Sequence, residues 1–367
     1  MSKLNLLCAI PTLHSGGSEQ VLLTFLKFLD RNRFNATLAV VDLGGATKLD
    51  QIPQDVELVD LRARRVRYAL PKLLTMARKR RPDVFLSTLG HLNMAVGACR
   101  SMFPPGMRMV ARESSIVSMK VAQSLLPSAI GALARRSYPR FDHIVCQSAA
   151  MQEDLVERFR VRAQQTSVIR NPVDTARIRE LATCDRAAGP WALGSDPDVV
   201  NLVAVGRLNR VKRFDRLLDA FARAGQPAWR LLIVGDGPER PNLQAQVARL
   251  ALEDRVCLVG QQANPYPFIA NADVLVLSSD YEGLPNVVLE AFACGTPVVA
   301  VPAPGGTPEV LRGVDGCMLA EACTVQALAS ALRAWGASPR RRLDPEVALP
   351  YRAETITRRF EAALEGT

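Results

Sequence analysis

Short apolar runs alternate with helix-like segments along the whole chain. Runs such as Leu231-Leu-Ile-Val and Val298-Val-Ala are rich in leucine and β-branched residues, and segments with apolar residues at helical spacing separate them. Parallel strands that are covered on both faces have this uninterrupted apolar character, and each needs a crossover before the next strand. The alternation therefore predicts an α/β protein built from doubly wound parallel sheets.

The strand-like runs fall into two groups, which predict two Rossmann-like domains that face each other across a cleft. A chain of 367 residues is long enough for two domains of ordinary size. The predicted strands of the first group cover residues 4–10, 36–41, 56–60, 83–87, 108–111, 142–146 and 166–170, and those of the second cover residues 200–205, 230–234, 256–259, 273–277, 297–301 and 316–319.

The boundary between the domains is predicted where the first group ends. A proline interrupts the last strand in Ile169-Arg-Asn-Pro-Val-Asp174, and turn-like segments at 187–190 and 194–197 precede the next strand. We therefore assign residues 1–174 to an N-terminal domain and residues 175–350 to a C-terminal domain. Ligands of such folds bind at the carboxyl ends of the strands, so functional residues are expected in the loops there.

The positive charge of the chain is concentrated in its N-terminal half. The net charge is +10, and residues 1–170 carry 25 Lys and Arg against 13 Asp and Glu. Such a domain suggests an anionic partner such as phospholipid, diphosphate or nucleic acid, although a solvated basic surface is the plainer alternative. The basic residues show no aromatic interleaving and match no nucleic-acid-binding module, so we predict no nucleic-acid partner. Many of them lie in two short segments, at Arg62, Arg64, Arg65 and Arg67 and at 78–81.

No apolar stretch approaches the roughly 20 residues that span a bilayer. The uncharged segment from Val121 to Ala134 lies between Lys120 and Arg135, and its length suits a helix on a surface or in a core. The apolar start of the chain leads directly into a glycine turn, so we interpret it as the first strand and not as a signal peptide.

The cysteines and histidines argue against a metal site. Eight cysteines form no Cys-x-x-Cys pair and lie mostly within apolar runs, which is typical of reduced thiols in a cytosolic protein. The three histidines are far apart in the sequence. We therefore predict no metal, no cofactor and a cytoplasmic location.

Two cations follow a predicted strand in the C-terminal half. The strand at 200–205 ends at Gly206, and Arg207 and Lys212 precede an amphipathic helix. Cations fixed at this point can stabilise the negative charge that develops on a leaving nucleoside diphosphate. The alternative is that both side chains only solvate the start of the helix.

Two glutamates bracket the start of another helix. A buried strand runs to Ser279, a turn holds Glu282, and Glu290 lies about a turn and a half into the following helix. Both carboxylates can face one ligand, and a carboxylate can accept two hydroxyl hydrogens from a vicinal diol. A helix N-terminus offers free backbone amides to anions and hydroxyls. The backbone amides of interest lie around Gly283 to Val287, a segment that consists of Gly283, Leu284, Pro285, Asn286 and Val287.

Residues 200–312 resemble the donor-binding domain of the retaining glycosyltransferase family four, which has the GT-B fold. The N-terminal half resembles the family more weakly over most of its length. Taken alone, the glycine turn after the strand at 230–234 is a weak signal, because it has only two of the three glycines of a dinucleotide fingerprint. The matching elements are Gly206-Arg-Leu with Lys212, Val234-Gly-Asp-Gly-Pro, Val259-Gly260, the two glutamates with seven residues between them, and Pro304-Gly-Gly-Thr-Pro-Glu309.

The resemblance implies a role for each of these elements. A UDP-sugar would be the co-substrate, with GDP-sugars still open, and the reaction would be metal-independent and would retain the anomeric configuration. Arg207 and Lys212 would bind the diphosphate, Glu290 the ribose and Glu282 the transferred sugar. The loop after Val259 and Gly260 would lie near the base. The terminal helix, within residues 351–367, would cross back onto the N-terminal domain.

The N-terminal half supplies further candidates. Gly16 and Gly17 resemble the first glycine loop of the family, which would meet the donor diphosphate, although a plain turn is the alternative. His91 and Asn93 follow the fourth strand, where acceptor contacts are expected. Family members often carry a histidine after the fifth strand, and this sequence has Arg112 and Glu113 there instead.

Three functions remain open from the sequence. The leading hypothesis is a glycosyltransferase, peripheral on the inner face of the cytoplasmic membrane, that adds a sugar to a lipid-linked or other glycan in polysaccharide synthesis. A catalytically silent glycan-binding or scaffold subunit of the same fold is the second. A Rossmann-type epimerase or oxidoreductase is the third, and the incomplete glycine fingerprint argues against it.

Overall fold

The protein is described by a computed structural model that covers residues 3–14, 16–183, 198–339 and 341–366. The chain forms two compact units. Unit 1 comprises Met1–Pro172 and Tyr351–Thr367, and unit 2 comprises Val173–Pro350. The turns predicted at 187–190 and 194–197 lie outside the described residues, and so does Cys184, one of the eight cysteines.

Unit 1 is built on a parallel sheet of seven strands. The spatial order of its strands is β3-β2-β1-β4-β5-β6-β7. The strands are β1 (Leu4–Ile10), β2 (Phe34–Val40), β3 (Glu57–Asp60), β4 (Val84–Thr88), β5 (Arg108–Arg112), β6 (His143–Cys146) and β7 (Thr166–Val168). The helices before the boundary are α1 (Gly17–Phe28), α2 (Val66–Arg80), α3 (Gly90–Ala98), α4 (Val117–Ala122), α5 (Pro127–Ser137) and α6 (Ala149–Phe159).

Unit 2 has the same architecture and is built on a parallel sheet of six strands. The order is β10-β9-β8-β11-β12-β13. The strands are β8 (Val200–Val205), β9 (Trp229–Val234), β10 (Val256–Gly260), β11 (Val274–Leu277), β12 (Val298–Ala300) and β13 (Met318–Leu319). The helices are α7 (Thr175–Thr183), α8 (Phe214–Ala224), α9 (Arg240–Arg249), α10 (Tyr266–Asn271), α11 (Asn286–Ala293), α12 (Gly306–Leu311) and α13 (Val325–Gly336).

Both faces of the unit 1 sheet are buried. Along β1, Leu7 and Ala9 belong to one hydrophobic cluster, while Leu6 and Cys8 belong to another on the opposite face. Successive side chains of a strand point to opposite faces, so a strand covered by helices on both sides must be apolar at every position. This burial explains the uninterrupted apolar runs, and the predicted α/β class with two Rossmann-like units is confirmed.

The terminal helix α14 (Ala353–Glu365) is part of unit 1. The ring of Phe360 packs against Phe25 of α1 with 5.4 Å between the ring centroids. The buried carboxylate of Glu361 accepts hydrogen bonds from the backbone nitrogen of Asp30 and from Arg33, both at the turn after α1. Apolar packing and these polar contacts together attach α14 to this unit.

The uncharged segment from Val121 to Ala134 is not one helix, as its length suggested. Helix α4 ends at Ala122 and α5 begins at Pro127. Proline lacks a backbone N–H, and it disfavours the helical conformation of the residue before it, here Leu126. The turn between the helices exposes Leu125 completely and Leu126 to 67%. No helix in the described ranges is both long and apolar enough to cross a membrane.

Candidate functional site

The predicted site residues of unit 2 gather at the carboxyl ends of neighbouring strands. β8 and β11 pair in parallel at the centre of the sheet, so the loops that follow them start side by side. The loop after β8 carries Arg207 and Lys212, and the loop after β11 carries Glu282. Parallel pairing therefore brings together residues that lie 70 positions apart in the sequence.

Lys212 and Glu282 form an ion pair. The ammonium nitrogen of Lys212 donates to Oε1 of Glu282 at 2.6 Å, and the hydroxyl of Ser279 donates to the same oxygen at 2.6 Å. The side chains of Lys212 and Glu282 are 25% and 12% exposed, so the pair is only partly shielded from solvent. Both of these hydrogen bonds use Oε1, which leaves Oε2 of Glu282 suited to accept hydroxyl hydrogens from a ligand. The sequence pattern indicated no role for Ser279.

The position of Lys212 is set by a short turn. Arg210–Lys212 forms one turn of 3-10 helix, and the side chain of Asn209 accepts a hydrogen bond from the backbone nitrogen of Lys212 at 3.2 Å. An asparagine at this position is a common helix cap. The turn carries Lys212 toward Glu282, while the backbone continues into α8.

The backbone of Glu282 is held by the double-glycine segment before α12. The backbone nitrogen of Glu282 donates to the carbonyl of Pro304 at 3.0 Å, and a parallel bridge joins Glu282 to Gly305. A side chain at Gly305 would place its Cβ only 1.6 Å from the carbonyl oxygen of Glu282, and φ is +109° there. Only glycine fits this approach. The match at Pro304 to Glu309 therefore has a structural role, which is to fix Glu282.

Two glycine turns also meet beside the site. A Cβ at Gly235, after β9, would lie 2.0 Å from the carbonyl oxygen of Gly206, after β8. A Cβ at Gly237 would lie 2.3 Å from the carbonyl oxygen of Leu208. The weak glycine pattern after β9 thus reflects close packing of two loops. Beside them, Arg207 is exposed, and its guanidinium has no ion-pair partner among the residues that the structure describes.

Glu290 lies at a different point of unit 2, in the middle of α11. Burial raises the pKa of the Tyr266 phenol, and the negative charge of Glu290 raises it further. The same two causes, in the same order, raise the pKa of Cys294 to about 12. Tyr266 begins α10, which follows β10 with Val259 and Gly260. Glu290 therefore lies close enough to the start of α10 to influence Tyr266 electrostatically, and its predicted role at the ribose stays a prediction.

The segment from Gly283 to Val287 leads into α11. Helix α11 starts at Asn286, directly after Pro285, and the backbone nitrogen of Gly306 donates to the carbonyl of Gly283 at 2.9 Å. Gly283, Leu284 and Pro285 are buried. The segment is thus a tightly held connection between Glu282 and the helix of Glu290, and its assignment to donor binding stays a prediction.

The remaining predicted site residues belong to unit 1. Gly16 precedes α1 as its cap residue and Gly17 is the first helical residue. The ammonium group of Lys48 donates to the carbonyl of Gly16 at 3.4 Å, and the carboxylate of Glu19 occupies the space that a side chain at Gly16 would need. Their assignment to the donor diphosphate stays a prediction.

Three acceptor-side candidates are buried. Asn93, Arg112 and Glu113 are each at most 2% exposed. The amide of Asn93 donates to the carbonyl of Arg112 at 3.0 Å and to Glu113 at 3.1 Å, and the hydroxyl of Tyr138 also donates to Glu113. Arg112 donates to Asn171 at 2.7 Å. These contacts hold the side chains inside unit 1, which argues against direct acceptor contact by any of the three.

Burial shifts the pKa values of this network. Desolvation raises the pKa of Glu113, although its hydrogen bonds and Arg112 act in the opposite direction. Desolvation lowers the pKa of Arg112 to about 10. Among the four acceptor-side candidates, His91, in the first turn of α3, is the exposed one. Partial desolvation by nearby protein atoms lowers the pKa of its imidazole. Within the described ranges, no group of three or more His, Cys, Asp or Glu side chains could hold a metal ion.

Family comparisons cover both units. The model of Glycosyltransferase Family 4 matches residues 15–177, and the model of Glycosyl transferases group 1 matches residues 200–336. Together the two matches take in most of the chain.

Curated relatives are named glycosyltransferases. A Campylobacter jejuni N-acetylgalactosamine-N,N'-diacetylbacillosaminyl-diphospho-undecaprenol 4-alpha-N-acetylgalactosaminyltransferase is 28% identical over 60% of this chain. The Rhizobium meliloti lipopolysaccharide core biosynthesis glycosyltransferase LpsE is 35% identical over 54% of this chain. Each match spans 58% of the length of the relative.

Solved structures share the fold over nearly the whole chain. The Anabaena protein HepE, in complex with UDP and glucose, has a TM-score of 0.78 at 20% identity, with 99% of this chain and all of that chain covered. The lipopolysaccharide outer core galactosyltransferase WaaB in its apo form has a TM-score of 0.72 at 18% identity, with 99% of each chain covered. At this identity the likeness shows the fold alone. Each half of the chain thus matches a glycosyltransferase family model, and the chain has the two-domain GT-B fold.

Proposed function

We propose that this chain transfers a hexose or N-acetylhexosamine from a UDP-sugar to a lipid-linked or other glycan acceptor. The observation that carries the proposal is the Lys212–Glu282 ion pair at 2.6 Å, in which Lys212 comes from the same loop as the exposed Arg207. Cations next to a hydroxyl-binding carboxylate suit a ligand in which a diphosphate adjoins a sugar. The names of the relatives support the acceptor class, since the Campylobacter protein acts on a diphospho-undecaprenol.

The chemistry follows from the positions of the charges. The bond between the anomeric carbon and the β-phosphate oxygen breaks, and negative charge grows on the departing diphosphate. Arg207 and Lys212 stabilise this charge more in the transition state than in the ground state, and this difference lowers the barrier. Glu282 accepts hydroxyl hydrogens of the sugar through its second oxygen, and Glu290 does the same for the ribose. The proposed reaction is accordingly metal-independent.

Retention of configuration is proposed to occur by displacement on one face of the sugar. The acceptor oxygen attacks the anomeric carbon from the side that the diphosphate leaves, and the acceptor proton passes to the departing phosphate oxygen. A glycosidase-like nucleophile would need a carboxylate free to bond to the anomeric carbon. Glu282 is less suited to that role because Lys212 and Ser279 already hold one of its two oxygens.

A panel of nucleotide sugars tests the proposal. UDP- and GDP-linked glucose, galactose, mannose and their N-acetyl forms are added to the protein, and thermal stabilisation and nucleotide release are measured. We expect at least one UDP-sugar to stabilise the protein and to release UDP. Glu290→Ala should weaken UDP binding by about tenfold or more, because a buried hydroxyl contact to a charged group contributes about 1.5–3 kcal/mol. Stabilisation by GDP-sugars alone would change the proposed donor, and no effect of any nucleotide sugar would contradict the proposal.

We further propose that the protein is peripheral on the inner face of the cytoplasmic membrane. The turn between α4 and α5 presents Leu125 and Leu126 to solvent, and the exposed Lys120 and Arg136 flank it. Exposed leucines beside cations suit the boundary between anionic headgroups and acyl chains. Such a position would bring the enzyme to a lipid-linked acceptor.

Liposome flotation tests this location. The wild-type protein should float with vesicles that contain anionic phospholipid and should float less at high salt, because salt screens charge attraction. A double variant, Leu125→Ser with Leu126→Ser, should lose most of the binding. Leu49→Ser, which changes another exposed leucine of unit 1, is the matched control. Equal flotation of the double variant and wild type, or no flotation of wild type at low salt, would contradict the proposed membrane association.

A further inference from the structure

Asp280 connects the two loops that carry the ion pair of the candidate site. Its backbone nitrogen donates to the carbonyl of Val211 at 2.8 Å, next to Lys212 in the loop after β8. Its carboxylate oxygen Oδ1 accepts from Arg213 at 3.1 Å and from Arg216 at 2.6 Å. Asp280 itself lies two residues before Glu282. One aspartate is thus bonded to the loop of Lys212 while it belongs to the loop of Glu282.

Arg216 is a charged residue at a buried position of α8. It lies in the first turns of α8 and is only 5% exposed, although its neighbours Leu217 and Leu218 belong to the hydrophobic core. A buried guanidinium costs free energy unless its N–H groups are paired. Here Nη1 donates to the carbonyl of Ser278 at 2.9 Å and Nη2 donates to Asp280. Both terminal nitrogens are therefore used to hold the loop that leads to Glu282.

A third contact joins the same two loops through a side chain of the loop after β11 and the backbone of the loop after β8. The hydroxyl of Ser278 donates to the carbonyl of Lys212 at 2.9 Å. Loop 278–282 therefore contacts two successive backbone carbonyls, those of Val211 and Lys212, and it also receives the side chains of Arg213 and Arg216. These contacts fix the separation of the two loops independently of the ion pair between Lys212 and Glu282.

We propose that Arg216 and Asp280 are positioning residues for the sugar-transfer site, an inference that rests on the function proposed above. They hold the loops after β8 and β11 at the separation that lets Lys212 and Glu282 meet one donor molecule. Arg216 is too deeply buried to contact a ligand, and the carboxylate of Asp280 is engaged by two guanidinium groups. Their effect on catalysis is exerted through Lys212 and Glu282.

A positioning role predicts a specific kinetic pattern. A shift of about 1 Å in a catalytic group can lower the rate about 100-fold. Asp280→Ala removes the one acceptor that Arg213 and Arg216 share, so we expect kcat to fall by about 10- to 100-fold while KM for the donor changes by less than about threefold. Asp280→Asn keeps an oxygen acceptor and should recover part of the lost kcat. Because Asp280 is 41% exposed, both variants should fold.

The test compares these variants with Arg216→Lys and with a control from the same helix. Arg223→Ala removes an exposed arginine of α8 whose side chain bonds only to Gln326 among the described residues, and it should keep wild-type kinetics. We expect Arg216→Lys to lower kcat as Asp280→Ala does. Wild-type kcat in Asp280→Ala, or an equal loss in Arg223→Ala, would overturn the proposal.

A crystal structure of Asp280→Ala separates this inference from the proposed function. If the wild-type protein consumes no nucleotide sugar, the proposed function fails, but the geometry of the variant still decides the positioning claim. We expect Lys212 Nζ and Glu282 Oε1 to move beyond hydrogen-bond distance in the variant, or loop 278–282 to become disordered. An unchanged separation of 2.6 Å would overturn it.

Discussion

Glu282 is constrained at the residue scale by both its side chain and its backbone. Lys212 and Ser279 hold one carboxylate oxygen, and the Pro304–Gly305 segment holds the peptide. The sequence motif predicted that Glu282 would face a ligand, but it did not predict its pairing with Lys212. That pairing depends on the register of β8 against β11, which a single sequence does not define.

Gly305→Ala tests the backbone restraint on Glu282. A Cβ at this position would overlap the carbonyl oxygen of Glu282, and the positive φ adds strain. We expect a loss of at least about 1–3 kcal/mol in the free energy of unfolding from the backbone strain alone, measured by urea denaturation. Gly313→Ala is the control, because it also has a positive φ of +79° but nothing lies within 4 Å of the added carbon. Equal effects of the two changes would show that the contact with Glu282 is unimportant.

At the scale of elements, sequence patterns located the strands well. Each strand bound lies within two residues of its prediction, because buried parallel strands are continuous apolar runs that end at glycine, proline or polar residues. The prediction of a single helix from Val121 to Ala134 was wrong. It relied on the uncharged composition of the segment and ignored that Pro127 favours a helix start. The burial of Asn93, Arg112 and Glu113 could not be predicted, since their partners Tyr138 and Asn171 are distant in the sequence.

The packing of α14 on α1 is expected to stabilise unit 1. Phe360 is 1% exposed and packs against Phe25, so Phe360→Ala leaves a cavity in the core. We expect the free energy of unfolding to fall by about 3–5 kcal/mol in urea denaturation. Arg358→Ala, on the exposed side of the same helix, should change it by less than about 0.5 kcal/mol. A similar small effect at both positions would mean that α14 contributes little to the stability of unit 1.

Glu113 should make the stability of unit 1 depend on pH. Burial raises the pKa of Glu113 above its ordinary value of 4.5, so the folded state binds the proton more tightly than the unfolded state does. The resulting stabilisation is complete below the unfolded pKa and is lost as pH rises through the folded pKa. Glu113→Gln has no ionisable carboxyl at this position, so the variant should not lose this stabilisation as pH rises.

Thermal unfolding from acidic to neutral pH measures the effect. The melting temperature of Glu113→Gln relative to wild type should therefore rise as pH increases. Glu153→Gln on the exposed face of α6 controls for the removal of one carboxylate. A constant difference between Glu113→Gln and wild type across the pH range would contradict the shifted pKa.

At the scale of the whole molecule, the two halves of the chain have different chemical character. Unit 2 contains the paired charges of the candidate site, and its motifs were specific enough to identify the family from sequence. The N-terminal half carries most of the excess positive charge and the exposed leucines near Pro127. Its acceptor-side candidates were placed by position after a strand alone, and such positions do not distinguish exposed residues from buried ones. The acceptor is therefore the part of the proposed reaction that the sequence defines least.

Turnover by the wild-type protein and two site variants tests the central claim most directly. UDP release from the best UDP-sugar of the panel is measured with wild type, Lys212→Ala, Glu282→Ala and the control Arg249→Ala, which removes an exposed cation of unit 2. We expect Lys212→Ala and Glu282→Ala each to lower kcat by about 100-fold or more, as loss of a group that stabilises the transition state does. Arg249→Ala should match wild type. Wild-type turnover in Lys212→Ala or Glu282→Ala would contradict the assignment of sugar transfer to this site.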